Sequence, residues 1–480
     1  MTAIARLRAV VRQAWLLVKL VGELVYLAPV LLVAVVVGVS AAVWADQPGV
    51  AVGLIFLLVA VVVWGRVWPG SFDRLVRDRL VGRRMVRRVR RSWPEWARAC
   101  DLSRKVDGEV VVPVLRRVRW RRGTLTAEPV LLPGQSVDDV DRATERLRTA
   151  ARARRLRVQP NAMVTGCTLA FSFGDYLSHP FRVQVPGDDA VPEWRQVEMG
   201  RTEFDRPWLV DVARSTLVAG ATGAGKASIM WAVMLGLGPA IRAGVVEVHG
   251  IDLKGGMELA MGKPLFTRYA TDPERAVVVL EEAAVAMRLR AEELAGTTRQ
   301  HTPTASRPLI IVVIDELAAV IAYLRDRDLR IRAEAALSVL LSQGRAVGYV
   351  VWGFVQDPRR DVVSMRNLFP RRIGLRLDTP EEVTMVLGDG AVDAGALCHL
   401  IQTTVPGTAY VIDEDGRPTK VRAPLITDDD LATAADRFAS ATEVPVIIAE
   451  SDADTPRRRR RGRSGKPATD DPTEVKVPIN

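Results

Sequence analysis

The sequence predicts an α/β protein: an open sheet with helices on its faces, preceded by two membrane-crossing helices and a small α/β unit, and followed by a disordered basic tail. Three observations lead there. From about Glu193, short apolar runs such as STLVAG, LIIVVIDE and GYVVWGFVQ alternate with amphipathic helical patterns, as an open α/β domain requires. One of those strands leads directly into GATGAGK, a glycine-rich turn ending in lysine. Near the start, two apolar runs each reach the roughly 20 residues that a helix needs to cross a bilayer.

Those runs are VYLAPVLLVAVVVGVSAAVW (25–44) and GVAVGLIFLLVAVVVWGRVW (49–68), joined by a tight turn at Ala45–Pro48 and each ending in Trp at interface depth. A cleaved leader would be shorter and would not be followed at once by a second span. Arg6, Arg8, Arg12 and Lys19 mark residues 1–24 as a basic N-terminus, and an arginine-rich stretch follows the second run. Basic flanks on both sides place both termini in the cytoplasm, with 25–68 as a two-helix hairpin in the cell membrane.

A chain of 480 residues that is 48% apolar has room for two or three domains. Its net charge of +11 is unevenly spread, because residues 66–122 hold 18 Lys and Arg against 6 Asp and Glu. GRRMVRRVRR (82–91) and LRRVRWRR (115–122) fit attraction to anionic lipid headgroups, and equally contact with the phosphates of DNA; the two are compatible. Cys100, Cys167 and Cys398 are dispersed, which argues against a disulfide framework or a zinc site and fits a reducing compartment. The four histidines are equally scattered, so clustered metal chemistry is not expected.

Residues 69–192 comprise the basic segment and a small α/β unit. VVVPVLRRVRW and TLTAEPVLLPG read as strands, and 136–156 as one helix with Ser136 and Asp139 as its capping box and Val140, Ala143, Leu147 and Ala150 along one face. A single strand, RVQPNAMVTGCTLAFSF, closes the unit. It shows no catalytic constellation and reads as a spacer or assembly module.

The larger domain spans 193–426. Its strands are STLVAG, VVEVHGIDLK (245–254), LIIVVIDE (309–316), GYVVWGFVQ (348–356), RRIGLRL (371–377) and TAYVIDE (408–414), with helices after the first, over Pro273–Leu294 and over Arg332–Gln343. Gly220, Ala221, Thr222, Gly223, Ala224, Gly225 and Lys226 have the spacing of a phosphate loop, whose backbone N–H groups wrap a triphosphate while the lysine reaches its outer phosphates. The hydroxyl that such loops place next, as a ligand to Mg²⁺, is missing: Ala227 stands there, followed by Ser228. Asp315 and Glu316 end an apolar strand where ligands meet the top of a parallel sheet. In that setting Asp315 would hold Mg²⁺ and Glu316 would polarise the attacking water. Gln356 ends the next strand, placed either to sense the γ-phosphate or simply to close a strand-end turn, and Arg371 and Arg372 begin another. A basic pair at that place is either solvated surface or a source of a trans-acting arginine.

Taken in order, GATGAGK, IDLKGGMEL, ATDPERA with MRLRAEEL, IVVIDELA, QGRAVGY, FVQDPRR, FPRRIGLRL and PGTAYV make the stretch from about Asp211 to Ala423 resemble the motor domain of the FtsK/SpoIIIE family of membrane-anchored DNA translocases. The likeness is strongest to the actinomycete branch associated with conjugal transfer of plasmids and integrative elements. The resemblance implies a RecA-like motor that binds ATP at Gly220–Lys226, places the metal at Asp315 and the hydrolytic base at Glu316, senses the γ-phosphate with Gln356 and uses Arg372 as finger. It also implies double-stranded DNA as partner and a homohexamer. Ala227 departs from the pattern, leaving water or Ser228 to supply the lost ligand. A secretion ATPase of the type VII kind and a nucleotide-binding membrane scaffold are the rival readings.

Residues 427–450 contain one helix (428–439, capped by Thr427) and the apolar VPVIIAE. This is too little for a winged-helix reader of DNA with its own core. The tail, 451–480, cannot form a core, and its RRRRRGRSGK (457–466) can neutralise phosphates without reading bases.

Overall fold

The computed structural model describes residues 78–440, except 107, 122, 162–165, 357, 359–364 and 413–415, with a few positions before 78. The expected membrane hairpin falls mostly outside the described residues, and VPVIIAE and the arginine tail fall wholly outside them. Among the described residues no helix is long and apolar enough to cross a membrane.

The arginine-rich stretch forms a helix, α1 (Asp78–Ala99). Its arginines line the outer side, while Val89, Trp93, Trp96 and Ala97 are buried in the core of the small unit. Gly82 is required at the crossing, since a β-carbon there would stand 2.4 Å from the Trp120 ring. After a short hairpin, β1 (Arg104–Val106) and β2 (Glu109–Val111), come β3 (Val114–Arg121) and β4 (Thr124–Val130).

Two expectations for this unit are corrected. The helix expected over 136–156 starts with the capping box of Ser136 and Asp139, but it divides at Ala143 into α2 (Val137–Arg142) and α3 (Thr144–Ala151) and stops where Arg152 turns left-handed (φ 53°). The single strand expected next is a hairpin, β5 (Arg155–Pro160) and β6 (Cys167–Ser172), closed by Asn161 N–H donating to Gly166 O at 2.8 Å. The resulting antiparallel sheet has the order β3-β4-β6-β5.

The larger sheet has ten strands in the order β11-β10-β12-β13-β9-β14-β15-β16-β7-β8. The first six are parallel: β11 (Arg268–Ala270), β10 (Val246–Ile251), β12 (Leu309–Ile314), β13 (Tyr349–Val355), β9 (Thr216–Ala219) and β14 (Arg371–Gly374). The other four continue antiparallel: β15 (Thr408–Ile412), β16 (Pro418–Arg422) and the hairpin of β7 (Gln196–Thr202) with β8 (Pro207–Asp211). Buried on both faces, β9, β12 and β13 are continuous apolar runs, as central parallel strands should be.

One face is covered by α5 (Pro273–Leu294), α6 (Leu317–Ile321), α7 (Arg327–Val347) and α8 (Pro380–Leu387), and the other by α4 (Lys226–Arg242) and α9 (Asp428–Arg437). Asp272 caps α5 with Pro273 at its first position, so that helix begins where its sequence says it should. α7 begins five residues earlier than the pattern suggests, because Asp326 caps it by accepting from the N–H groups of Asp328 and Leu329. α9 begins with the capping box of Thr427 and Asp430 and ends at Arg437.

The small unit docks on the antiparallel half of the large sheet. Arg155 donates to Tyr410 Oη at 3.1 Å and pairs with Glu203, Arg157 donates to Thr419 Oγ1 at 3.0 Å, and Arg417 donates to Val158 O at 2.8 Å.

Candidate nucleotide site

The glycine-rich loop leaves the centre of the sheet between β13 and β14, and both neighbours pin it. Gly220 N–H donates to Val355 O at 3.1 Å and Ala221 N–H to Arg376 O at 2.9 Å. Gly223 (φ 73°) and Gly225 (φ 96°) then take left-handed backbone that other residues adopt at a cost. A β-carbon on Gly223 would meet open space, whereas one on Gly225 would stand 2.3 Å from the Gly407 nitrogen. The turn before β15 thus closes on the loop, with Gly407 N–H donating to Ala224 O at 2.8 Å. α4 begins at Lys226 with no side chain capping it, leaving its first N–H groups available to an anion.

Lys226 is mostly enclosed, and its Nζ donates to Gly220 O at 2.7 Å. Burial depresses its pKa to about 8, against the upward pull of Glu316. A half-buried ammonium bonded to a backbone carbonyl, beside uncapped N–H groups and two left-handed glycines, fits a polyphosphate. Ala227 packs against the apolar cluster beneath α4 and has no hydroxyl; Ser228 is half-buried one residue further on, about 100° around the helix axis.

Asp315 and Glu316 follow β12 and are 6% and 7% exposed. Asp315 N–H donates to Ile251 O at 3.0 Å, which fixes the start of the pair against β10. Burial raises the pKa of both carboxyls, and the Lys254 ammonium opposes that rise. Glu316 Oε1 accepts from the Gln356 N–H at 3.3 Å, while Gln356 Oε1 accepts from Thr222 Oγ1 at 3.4 Å. Gln356 therefore ties the acidic strand to the phosphate loop across the strand that separates them. A carboxylate whose basicity is raised by burial and whose position is fixed can accept a proton from water.

Two contributors escape notice in the sequence. Lys254 Nζ lies 3.1 Å from Asp315 Oδ2 and donates to Glu316 Oε2 at 3.2 Å. The first contact is an ion pair without hydrogen-bond alignment, which leaves Oδ2 buried with no hydrogen bond. Arg376 donates through Nη2 to Thr222 O at 2.9 Å and so holds the crest of the loop. Arg372, by contrast, is not brought to the loop. It lies opposite Leu217, two residues inside the top of β14, with its guanidinium against Gly388 and Nε buried without a hydrogen bond. Arg371 is structural, donating to Asp211 O at 2.7 Å.

No cluster of three or more acidic, His or Cys side chains able to hold a metal ion occurs among the described residues. Mg²⁺ in such a site is usually held by one or two carboxylates together with the phosphates, and a buried carboxylate oxygen already paired with a cation suits that arrangement.

Residues 192–392 match the FtsK/SpoIIIE family. The chain carries an FtsK/SpoIIIE domain. This domain is a P-loop ATPase domain with an α/β motor fold, and the strand, loop and acidic pair just described all lie inside the matched residues. Outside it the likeness continues. The transfer protein TraSA of Streptomyces ambofaciens is 26% identical over 381 residues, which cover 70% of this chain and 85% of that protein. The sporulation regulatory protein of Streptomyces azureus is 28% identical over 256 residues, 51% of this chain and 83% of that protein. Among solved structures, the pCW3 conjugation coupling protein TcpA, in a monomer form with ATPγS, superposes with a TM-score of 0.45 at 19% identity, covering 74% of this chain and 99% of that one.

Proposed function

We propose that the chain is a membrane-anchored ATPase that moves double-stranded DNA, working as a ring of six copies in the cell-to-cell transfer of a mobile element. The observation that carries this reading is the single bonded unit made by the loop, Gln356 and Glu316 inside an FtsK/SpoIIIE domain. Similarity over 85% of the length of a transfer protein supports transfer as the task. The apolar runs of 25–68 and their basic flanks support a two-span anchor in the cell membrane with the motor in the cytoplasm.

In this reading the loop from Gly220 to Ser228 and Lys226 hold the ATP phosphates, Asp315 and Ser228 hold Mg²⁺, Glu316 receives the proton of the attacking water, and Gln356 relays occupancy. Mg²⁺ would neutralise charge on the phosphoryl oxygens. Arg372 contacts Gly388 and not the loop of its own chain, which suits a role toward a neighbouring subunit's nucleotide.

The test is ATP hydrolysis by the detergent-solubilised full chain with and without duplex DNA. Duplex should raise the rate, and Lys226→Ala should abolish it. Equal residual rates in wild type and Lys226→Ala favour the second reading, a nucleotide-binding membrane scaffold, which Ala227 motivates by removing a metal ligand. Stimulation by a secreted protein, and not by duplex, points to a secretion ATPase.

A further inference from the structure

The established parts of a phosphate-loop site leave Lys254 without a role, yet its side chain reaches both acidic residues. Its ammonium bridges Asp315 Oδ2 (3.1 Å) and Glu316 Oε2 (3.2 Å), the oxygens of two side chains that are more than nine-tenths buried. The backbone beneath it is built for that position. Asp252, fully buried at the end of β10, accepts from the N–H groups of Lys254 (3.0 Å), Glu258 (3.0 Å) and Leu259 (3.1 Å), folding 252–259 into a closed loop. Gly255 (φ 77°) and Gly256 (φ 80°) make its turn, and Met257 stands 85% exposed at its tip. One loop thus presents a cation inward to the acidic pair and an apolar side chain outward to solvent.

We propose that Lys254 is a positioning residue that stands in for the divalent cation, holding Asp315 and Glu316 together while the metal position is empty and sharing them once metal and nucleotide arrive. The physical reason is charge. Two buried carboxylates on adjacent residues, with a fourfold-charged nucleotide approaching, need a cation nearby at every stage. Lys226 cannot serve, because it belongs to the phosphates. The arrangement also makes loop 252–259 a reporter of occupancy, since its inward end is bonded to the atoms that the metal would engage. The inference rests on the reading of Asp315 as a metal position, but its test does not depend on hydrolysis or on DNA.

The experiment measures equilibrium binding of a fluorescent, non-hydrolysable ATP analogue to the full chain in detergent, in EDTA and in Mg²⁺, and reports the ratio of the two Kd values. Removing Lys254 leaves metal as the remaining compensation, so the ratio should rise about tenfold in Lys254→Met, the order expected for one uncompensated charge near contact distance. Lys254→Arg, which keeps the charge, should stay near the wild-type ratio. Asp315→Asn should collapse the ratio, because the metal loses its ligand. Hydrogen exchange supplies a second readout: the amides of Lys254, Glu258 and Leu259 should change protection when Mg²⁺ is added to the analogue complex of the wild type, and not in Lys254→Met. If Lys254→Met does not fold, Lys254→Gln, which removes the charge and keeps a polar end, decides the point. A ratio unchanged in the uncharged variants overturns the proposal, as does a rise that Lys254→Arg shows equally. Failure of DNA to stimulate hydrolysis would refute the proposed function and leave this result standing, so the two failures are distinguishable.

Discussion

Replacing Gly225 by alanine tests how tightly the phosphate loop is built into the sheet. Gly225 sits at φ 96°, and the β-carbon that alanine adds would stand 2.3 Å from the nitrogen and 2.8 Å from the α-carbon of Gly407. Left-handed backbone costs an L-residue about 1–2 kcal/mol. Forcing the Pro406–Gly407 turn away adds about 1–3 kcal/mol of overpacking, because the atoms met are backbone and cannot rotate aside. Displacing that turn also breaks the bond from Gly407 N–H to Ala224 O, at about 0.5–1.5 kcal/mol. The sum is on the order of 3–6 kcal/mol. Gly223→Ala is the internal control: its φ of 73° imposes a similar backbone cost, but its β-carbon meets nothing within 4 Å. The two variants should therefore separate by roughly 2 kcal/mol or more, or several degrees in Tm at about 2–4 °C per kcal/mol for a domain of this size. Thermal unfolding of both variants followed by circular dichroism is the measurement. Equal destabilisation by the two would refute the argument that the Gly407 turn buttresses the loop.

Other substitutions probe separate claims. Ala227→Ser should change the Mg²⁺ concentration dependence of hydrolysis more than the maximal rate, and Ser228→Ala should harm the natural sequence more than it harms Ala227→Ser; additive effects in that double-mutant comparison would remove Ser228 as the substitute ligand. The three cysteines are buried and free, and burial raises all three thiols, Cys167 to about 11 and Cys398 to about 12. Since the thiolate is the reactive form, an aromatic disulfide reagent at pH 8 should label the native protein slowly and the denatured protein at all three positions. Gly238→Ala places a β-carbon 2.2 Å from Phe438 Cδ2, so it should cost about 1–3 kcal/mol and make α9 the first site of limited proteolysis. Truncation after Glu450 should weaken binding to duplexes of any sequence alike and flatten the salt dependence; a repeat protected from cleavage in the full chain and lost on truncation would contradict this.

The parts of this structure that sequence reveals are those whose signals are local. The start of α5 is written in Asp272 and Pro273, that of α9 in Thr427 and Asp430, and the phosphate loop in seven consecutive residues. The pattern shows α7 too short because the alternating charges of RDRDLRIR hide a helical face that Asp326 nevertheless caps. The hairpin of β7 and β8 is invisible to the pattern for a related reason: its strands alternate buried and exposed side chains and carry a bulge between Glu198 and Arg201, so neither resembles a continuous apolar run. Lys254 was hidden by distance along the chain, since its partners come more than sixty residues later on the neighbouring strand. The available clue was local all the same: an acidic residue ending a strand, then Lys and two glycines, is a turn that aims something. Arg372 shows the converse. Its place at a strand start is legible, but that its guanidinium lies against Gly388 is a tertiary contact, and no periodicity encodes that.

The position of Gly407 gives the sheet a mechanical character. Its N–H is bonded to the phosphate loop, and three residues later on the same chain the Tyr410 hydroxyl is bonded to Arg155 of the N-terminal unit. Those three residues belong to β15, an extended strand paired with β16 throughout and with β14 from Tyr410 onward, and extended backbone resists stretching along its length. The loop and the unit nearest the proposed anchor are therefore the two ends of one short pushrod, about 10 Å long at the usual rise of a strand. A force generated where phosphates bind need not pass through the helices or the solvent-facing loops to reach the N-terminal unit.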